Sequence, residues 1–269
     1  MLWCDAAEPT QTHADGSTNG CSLRNVAEPI SAPKSSRLSS TERPHNEADV
    51  SAGSCASSPV VRPTMHHFGL KTTNLDPMVD WYAKVLGMEE NHRSPSRAQA
   101  STESGWRTAW VSNDQANHRI AIMALPGLAD DVLRSRHKGM HHIAFEFPTL
   151  DDLLHTFRRL KLLGIEPVRA ADHGATISFY YEDPDGNSIE LLVDNFGDGR
   201  LSSEFMRMSA EFASNPMGAD VDPEQILAAR AAGTSVAEIH ERAYAGEFCS
   251  ASGFFRHYLA SAANRNGGR

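Results

Sequence analysis

The chain has little cysteine, and its cysteines lie outside its central region. Cys4, Cys21 and Cys55 are near the start and Cys249 is near the end, so no cysteine lies between positions 56 and 248. A disulfide or a thiolate site is therefore excluded from the central region. The pattern is typical of a reducing compartment, and we expect a cytoplasmic protein.

Long apolar runs and clusters of basic residues are also absent. No stretch approaches the roughly 20 apolar residues that span a bilayer, and the first residues lack the basic flank and apolar run of a signal peptide. The formal net charge is −9, and lysine and arginine form no cluster. A phosphate-binding surface is therefore not favoured. We expect neither a membrane nor a nucleic acid as a partner.

Composition divides the chain into three parts. Residues 1–63 are rich in Ser, Pro, Ala, Thr and Asn without a sustained apolar period, which predicts a disordered N-terminal extension. The alternation typical of strands begins at Met65, and we expect a folded domain over residues 64–199. Residues 200–269 are predicted to form a helical arm and a tail, in which we identify no chemistry.

The predicted domain contains an internal repeat. The sequence MHHFGLKT from Met65 is similar to MHHIAFEF from Met140, and the tetrapeptides LGME and LGIE follow them at nearly the same distance. Two such agreements indicate a duplicated supersecondary unit. We predict two βαβββ modules, at residues 65–125 and 139–195, that share one core.

In the first module, the helix follows the first strand. Asp76 is predicted to cap this helix at its N-terminus, and Gly87 is predicted to end it. Residues 92–105 are polar and are predicted to form a loop. The remaining strands are expected at residues 106–112 and 118–125.

The second module has the same pattern with clearer signals. Thr149 is predicted to cap its helix, whose apolar stripe is Leu150, Leu153, Leu154, Phe157 and Leu160. The module ends with the hairpin SFYYEDPDGNSIELLV, in which Asp183 is expected opposite Asn187 across a three-residue loop. That loop length pairs Tyr180 with Glu190, whereas a two-residue loop would pair Tyr181 with it.

Strand alternation directs three potential metal ligands to one face of the sheet. Phe68 is expected under the first helix, so His67 points to the opposite face, and His142 does the same in the second module. Glu190 points to that face from the last strand. The neighbouring histidines, His66 and His141, are assigned to the outside.

The repeat, the HHFGL and HHIAFE strands and the DPDGNSIEL hairpin resemble the vicinal oxygen chelate superfamily, which includes glyoxalases, bleomycin-resistance proteins and extradiol dioxygenases. The segments NDQANHRIAI, DHGATISFYY and VDNF are most similar to one-domain type I extradiol catechol dioxygenases of the 2,3-dihydroxybiphenyl kind. The resemblance covers residues 65–200. It implies an α+β fold in which two βαβββ modules surround a metal site with a curved mixed sheet.

The resemblance also implies an activity, which is ring cleavage of a catechol by O2. The metal implied is Fe(II), with Mn(II) as the alternative, and its implied ligands are His67, His142 and Glu190. Three further roles come from the resemblance alone. His118 is expected as an acid or base above the oxygen site, and His173 and Tyr180 are expected to hydrogen-bond the catecholate.

Alternative functions differ in their metal ligands. Glyoxalase-type members use four protein ligands, but the repeat places Ala121 where the first module would supply the fourth. Two histidines and one carboxylate match non-heme iron oxygenases, so a dioxygenase is favoured over a glyoxalase-like lyase or isomerase. The sequence is also compatible with a metal-free binding protein of the bleomycin-resistance kind and with an inactive paralogue. We expect a homo-oligomer, because strand edges and helical arms need cover.

Overall fold

The computed structural model describes residues 60–94, 105–131 and 133–249. The predicted disordered extension lies outside the described residues up to position 59, as does the end of the chain from position 250. Met1–Val61 and Arg62–Arg269 form separate units. All described helices and strands belong to the second unit.

The first module consists of a strand, a helix and three further strands. In chain order these are β1 Phe68–Thr72, α1 Leu75–Leu86, β2 Glu89–Ser94, β3 Arg107–Ser112 and β4 Ile120–Ala124. The strands form a sheet in the order β1-β4-β3-β2. Strand β1 runs parallel to β4, and the other neighbours are antiparallel.

The second module repeats this arrangement. Its elements are β5 Ile143–Glu146, α2 Leu150–Leu162, β6 Arg169–Asp172, β7 Thr176–Glu182 and β8 Ser188–Asp194. Strand β5 runs parallel to β8, and the sheet order is β5-β8-β7-β6 with a short extra strand beside β6. Two modules with the same order and the same parallel pair confirm the predicted duplication of a βαβββ unit.

The first module differs from the prediction at two places. Helix α1 has Asn74 as its N-cap, so Asp76 lies in the first turn rather than at the cap. The Asp76 carboxylate instead forms ion pairs with Arg93 of β2 and Arg107 of β3. Both partners are distant in the sequence, so a local sequence pattern does not predict these contacts. Positions 92–94 are not a loop, because they belong to β2. Backbone pairing with β3 outweighs their polar composition.

Helix α2 agrees with the prediction. The Thr149 hydroxyl accepts a hydrogen bond from the backbone N–H of Asp152 at 3.1 Å. The acidic first turn of the helix also complements the positive end of the helix dipole. The buried side chains are the predicted stripe of Leu150, Leu153, Leu154, Phe157 and Leu160. The stripe packs in the core between the helix and its sheet.

The hairpin of β7 and β8 has the predicted register. The backbone N–H of Asp183 donates to the carbonyl of Asn187 at 3.0 Å, and Gly186 has a φ of 74° that suits glycine at this turn. Tyr180 lies opposite Glu190 in the ladder. The three-residue loop is therefore confirmed, and with it the side of the sheet on which Glu190 lies.

The carboxylate of Asp183 joins this hairpin to the first module. Asp183 is only 4% exposed, and its Oδ2 accepts a hydrogen bond from the hydroxyl of Tyr82 in α1 at 3.0 Å. Burial raises the pKa of the Asp183 carboxyl, while hydrogen bonds from Asn187 and Tyr82 oppose the rise. A buried carboxylate without such donors would be costly. The contact therefore stabilises the docking of α1 on the hairpin.

The segment after β8 contains the predicted helices and adds one strand. Its elements are α3 Gly199–Met208, α4 Ala210–Ser214, β9 Ala219–Asp220, α5 Pro223–Ala231 and α6 Val236–Tyr244. Strand β9 pairs with β6 and extends the second sheet. The segment contributes to the same hydrophobic core as the two modules, through Val221, Ile226, Ile239, Ala243 and Phe248. The boundaries predicted at 63 and 199 stay predictions.

Removing the Tyr82 hydroxyl tests the contact between the modules. We expect Tyr82→Phe to lower the free energy of unfolding by about 1–3 kcal/mol, because a buried carboxylate loses a donor. The matched control is Tyr181→Phe, since the buried Tyr181 hydroxyl has no hydrogen-bond partner within the described part of the chain. The control should not lower stability. Urea unfolding measures both variants, and equal losses would contradict the role given to the Tyr82–Asp183 bond.

Candidate metal centre

Glu190 carries a buried carboxylate at the middle of β8. Its neighbours Ile189 and Leu191 pack in the hydrophobic core, so alternation along the strand directs Glu190 to the other face. The residue is 5% exposed. Its Oε1 accepts a hydrogen bond from the Tyr180 hydroxyl at 2.9 Å, and its Oε2 lies 2.9 Å from Nε2 of His142. Both carboxylate oxygens therefore have partners.

His142 reaches Glu190 because it immediately precedes β5, the strand that runs parallel to β8. Two ligand atoms at about 2.0–2.2 Å from one ion, roughly at right angles, are about 3 Å apart. The 2.9 Å separation of His142 Nε2 and Glu190 Oε2 matches that spacing. Imidazole nitrogen and carboxylate oxygen are also donors that Fe(II) and Mn(II) accept. The pair therefore fits two neighbouring positions around a divalent metal.

His67 has the equivalent position in the first module, immediately before β1. Its ring centroid lies 4.2 Å from that of His118, and its Nδ1 lies 2.9 Å from Nδ1 of His66. Across residues 60–94, 105–131 and 133–249, no group of three or more His, Cys, Asp or Glu side chains is placed to hold a metal ion. The structure thus brings two of the three predicted ligands together, His142 and Glu190. The third, His67, contacts His66 and His118. The complete ligand set stays a prediction.

The histidines assigned to the outside do contact the predicted ligands. Nδ1 of His141 lies 2.7 Å from Nδ1 of His142, which leaves Nε2 of His142 facing Glu190. Both His66 and His141 are exposed. Nδ1 of His67 and Nδ1 of His142 are therefore each in contact with the adjacent histidine. This orienting contact has no signal in strand alternation, because adjacent residues of a regular strand point to opposite faces.

Tyr180 connects Glu190 to His173. The Tyr180 hydroxyl lies 2.9 Å from Oε1 of Glu190 and 2.9 Å from Nε2 of His173. Burial, and then the negative charge of Glu190, raise the pKa of Tyr180 well above its usual range. The hydroxyl therefore stays protonated near neutral pH. The structure brings together His142, Glu190, Tyr180 and His173 in one continuous series of contacts.

His118 lies just before β4 and beside His67. Burial lowers the pKa of His118, and electrostatic repulsion between its charged form and the neighbouring imidazoles of His67 and His66 lowers it further. The neutral imidazole, which is able to accept a proton, is therefore favoured. The structure groups His118 with His67 rather than with Tyr180 and His173.

The register of the two sheets shows where the first module lacks a ligand. In the second module Ala144 of β5 pairs with Glu190 of β8, and in the first module Gly69 of β1 pairs with Ala121 of β4. Gly69 and Ala144 are each the second residue of their strand. Ala121 is therefore the structural equivalent of Glu190, as the repeat predicted. The first module offers no carboxylate at this position.

Sequence comparisons agree with this architecture. Residues 64–191 match the model of the glyoxalase/bleomycin resistance protein/dioxygenase superfamily. Two proteins of Rhodococcus globerulus, biphenyl-2,3-diol 1,2-dioxygenases 3 and 2, are 34% and 36% identical over 185 residues. The alignments cover 69% of this chain and 91% and 90% of those proteins. The chain belongs to this superfamily.

Other superfamily members are also similar to the chain. A lactoylglutathione lyase of Neisseria meningitidis serogroup A is 30% identical over 140 residues, which are 51% of this chain and 94% of that protein. The superfamily match confirms the predicted resemblance and the predicted α+β fold. The two dioxygenases confirm the predicted enzyme class, an oxidoreductase of the dioxygenase kind.

Metal titration tests the His142–Glu190 pair. We expect His142→Ala and Glu190→Ala each to weaken Fe(II) binding by about 100-fold or more, because loss of an outer partner alone costs about 10–100-fold. The control is His155→Ala, which removes an exposed histidine of α2. Anaerobic calorimetric titration measures the affinities. Full metal content in Glu190→Ala would contradict the assignment.

Proposed function

We propose that this protein is an Fe(II)-dependent extradiol dioxygenase that cleaves catechols of the 2,3-dihydroxybiphenyl kind, in the degradation of aromatic compounds. The observation that carries the proposal is the series of contacts from His142 through Glu190 and Tyr180 to His173. It joins a metal-ligand pair to two groups suited to proton transfer. The identity of 34–36% to biphenyl-2,3-diol 1,2-dioxygenases supports the same reaction.

His142 and Glu190, with His67 as the proposed third ligand, would hold the metal. Fe(II) at this place supplies the redox and Lewis-acid chemistry by which a catechol reacts with O2. Two histidines and one carboxylate leave coordination positions for the substrate. Mn(II) is the alternative metal, since it accepts the same donors.

Tyr180 and His173 are the proposed acid–base groups for the catechol. A substrate hydroxyl bound beside Glu190 would lie close to the Tyr180 oxygen, which contacts both Glu190 and His173. Because its pKa is raised, Tyr180 acts as a hydrogen-bond donor and relay rather than as a phenolate base. Nε2 of His173 is the acceptor at the far end of that relay. The pair can therefore take up a proton from a catechol hydroxyl.

His118 is the proposed acid or base on the side of His67. Its imidazole ring lies beside that of His67, and its lowered pKa favours the neutral form. A neutral imidazole accepts a proton at neutral pH and returns it later. His118 therefore lies beside the proposed ligand His67, whereas His173 is linked through Tyr180 to the proposed ligand Glu190.

A glyoxalase-like lyase or isomerase is the second candidate function. The lactoylglutathione lyase of Neisseria meningitidis, at 30% identity, favours it. Against it stands Ala121, which occupies the position equivalent to Glu190 and provides no fourth ligand. Methylglyoxal with glutathione distinguishes the two, because only a lyase converts this pair to a thioester.

We further propose a catechol and O2 as small-molecule partners and a homo-oligomer in the cytoplasm. Within the described residues, no helix has both the length and the apolar composition needed to cross a membrane. The exposed side chains of Met206, Met208 and Leu201 on α3 support an association with further copies, since they leave apolar surface uncovered.

The proposed reaction predicts a coloured product. After anaerobic reconstitution with Fe(II), addition of 2,3-dihydroxybiphenyl and O2 should give a yellow ring-opened product, with one O2 consumed for each catechol. An oxygen electrode and the visible spectrum measure both quantities. Absence of O2 uptake by the iron-loaded protein would contradict the proposal.

The relay predicts a specific loss in Tyr180→Phe. We expect kcat to fall by about 10²-fold or more, the usual contribution of a positioned acid or base. Fe(II) affinity should fall as well, by about 10–100-fold, because Tyr180 hydrogen-bonds the proposed ligand Glu190, so kcat is measured at saturating Fe(II). Tyr181→Phe is the matched control on the same strand, and it should retain the wild-type kcat. An unchanged kcat in Tyr180→Phe would exclude the relay.

A further inference from the structure

We infer that the segment after β8 is a positioning element for His173, with the carbonyl of Met217 fixing the tautomer and direction of the imidazole. The effect on turnover rests on the proposed function, whereas the effect on the imidazole does not. The segment lies outside residues 64–199, to which the sequence assigned the chemistry. Met217 and Gly218 are therefore proposed as positioning residues of the active site.

The contact with Met217 determines which nitrogen of His173 carries a proton. His173 lies in the turn between β6 and β7, and its Nδ1 is 2.8 Å from the carbonyl oxygen of Met217. A carbonyl oxygen only accepts, so Nδ1 must be the donor. In the neutral ring, Nε2 then has the lone pair, and it lies 2.9 Å from the Tyr180 hydroxyl. The Met217 carbonyl thus leaves Nε2 of His173 without a proton and able to accept one from Tyr180, whose hydroxyl donates to Glu190 in this structure.

The turn that carries Met217 is held tightly against β6. Gly218 has a φ of 69°, and a Cβ there would lie 1.8 Å from the carbonyl oxygen of Asp172. Only glycine permits so close an approach of two backbones. Immediately afterwards, Ala219 of β9 pairs with Asp172, and the Asp220 carboxylate forms an ion pair with Arg169. These contacts position the Met217 carbonyl relative to His173.

Helix α6 fixes the residues on either side of His173. Asp172 is fully buried, and its carboxylate accepts a hydrogen bond from the backbone N–H of Gly174 at 2.7 Å. The other oxygen lies 2.8 Å from Nδ1 of His240 in α6. A Cβ at Gly174 would lie 3.0 Å from the ring of Tyr244, also in α6. The β6–β7 turn is therefore held by side chains from the segment after β8 as well as by its backbone.

The test displaces the Met217 turn and observes the His173 ring. In the full-length protein labelled with 15N-histidine, we expect a slowly exchanging Nδ1–H signal of His173, assigned by its absence in His173→Gln. Gly218→Ala should abolish or shift this signal, because its Cβ drives the turn away from Asp172. The matched control is Gly164→Ala, with a similar φ of 73° but open space around the new Cβ. An unaltered signal in Gly218→Ala would overturn the inference.

A double-mutant cycle relates the contact to turnover. We expect Gly218→Ala to lower kcat for ring cleavage by about 10²-fold, as a misplacement of about 1 Å can do. In a His173→Gln background, the same substitution should cause no further loss, because its effect acts through His173. Equal losses in both backgrounds would show a merely structural role and refute the inference. A wild-type protein without ring cleavage would refute the proposed function but leave the NMR result intact.

A second pair of variants applies if Gly218→Ala does not fold. His240→Ala removes the α6 donor to Asp172. We expect it to shift the His173 signal and lower kcat by about 10-fold or more, the scale on which losing an outer hydrogen-bond partner lowers activity. His240→Asn should restore both, because the amide nitrogen replaces Nδ1 as the donor. An unchanged signal in His240→Ala would overturn the inference without reference to Gly218.

Discussion

The buried carboxylate of Glu190 is the constraint on which the site depends. A charge at this depth is tolerated only with partners for its oxygens, and they come from the Tyr180 hydroxyl and the His142 imidazole. The first partner requires the hairpin register, and the second requires the parallel pairing of β5 with β8. A slip of one residue in either ladder would place the carboxylate and its partner on opposite faces of the sheet. The same strand register is therefore required both for the fold and for the proposed metal site.

The two modules have the same backbone plan but different roles. The second provides the His142–Glu190 pair together with Tyr180 and His173, whereas the first has Ala121 at the position of the carboxylate. Duplication explains how this arises, because two copies of a unit fold alike while only one retains a given side chain. The first module stabilises the second through α1 and contributes His67 and His118, which lie together.

Local rules predicted the parts of the structure that local interactions determine. The hairpin register, and with it the Tyr180–Glu190 pair, follows from loop length and alternation. Strand β2 was missed because its side chains are polar and its stability comes from pairing with β3. Alternation gave the face of His67 but not its distance from Glu190, which depends on how the modules pack. The Met217–His173 contact joins residues 44 positions apart and has no local signal.

Tyr82 and Asp183 lie 101 positions apart in the chain, so their contact can form only after the ribosome has synthesised both modules. The first module leaves the ribosome before the hairpin is synthesised, and until then the Tyr82 hydroxyl of α1 is hydrogen-bonded to water. Local pairing, such as β7 with β8, forms early, whereas closing so long a loop delays the docking of the modules. Until then the apolar surface that the modules share is open to other chains, and this nascent stage is the one most prone to aggregation.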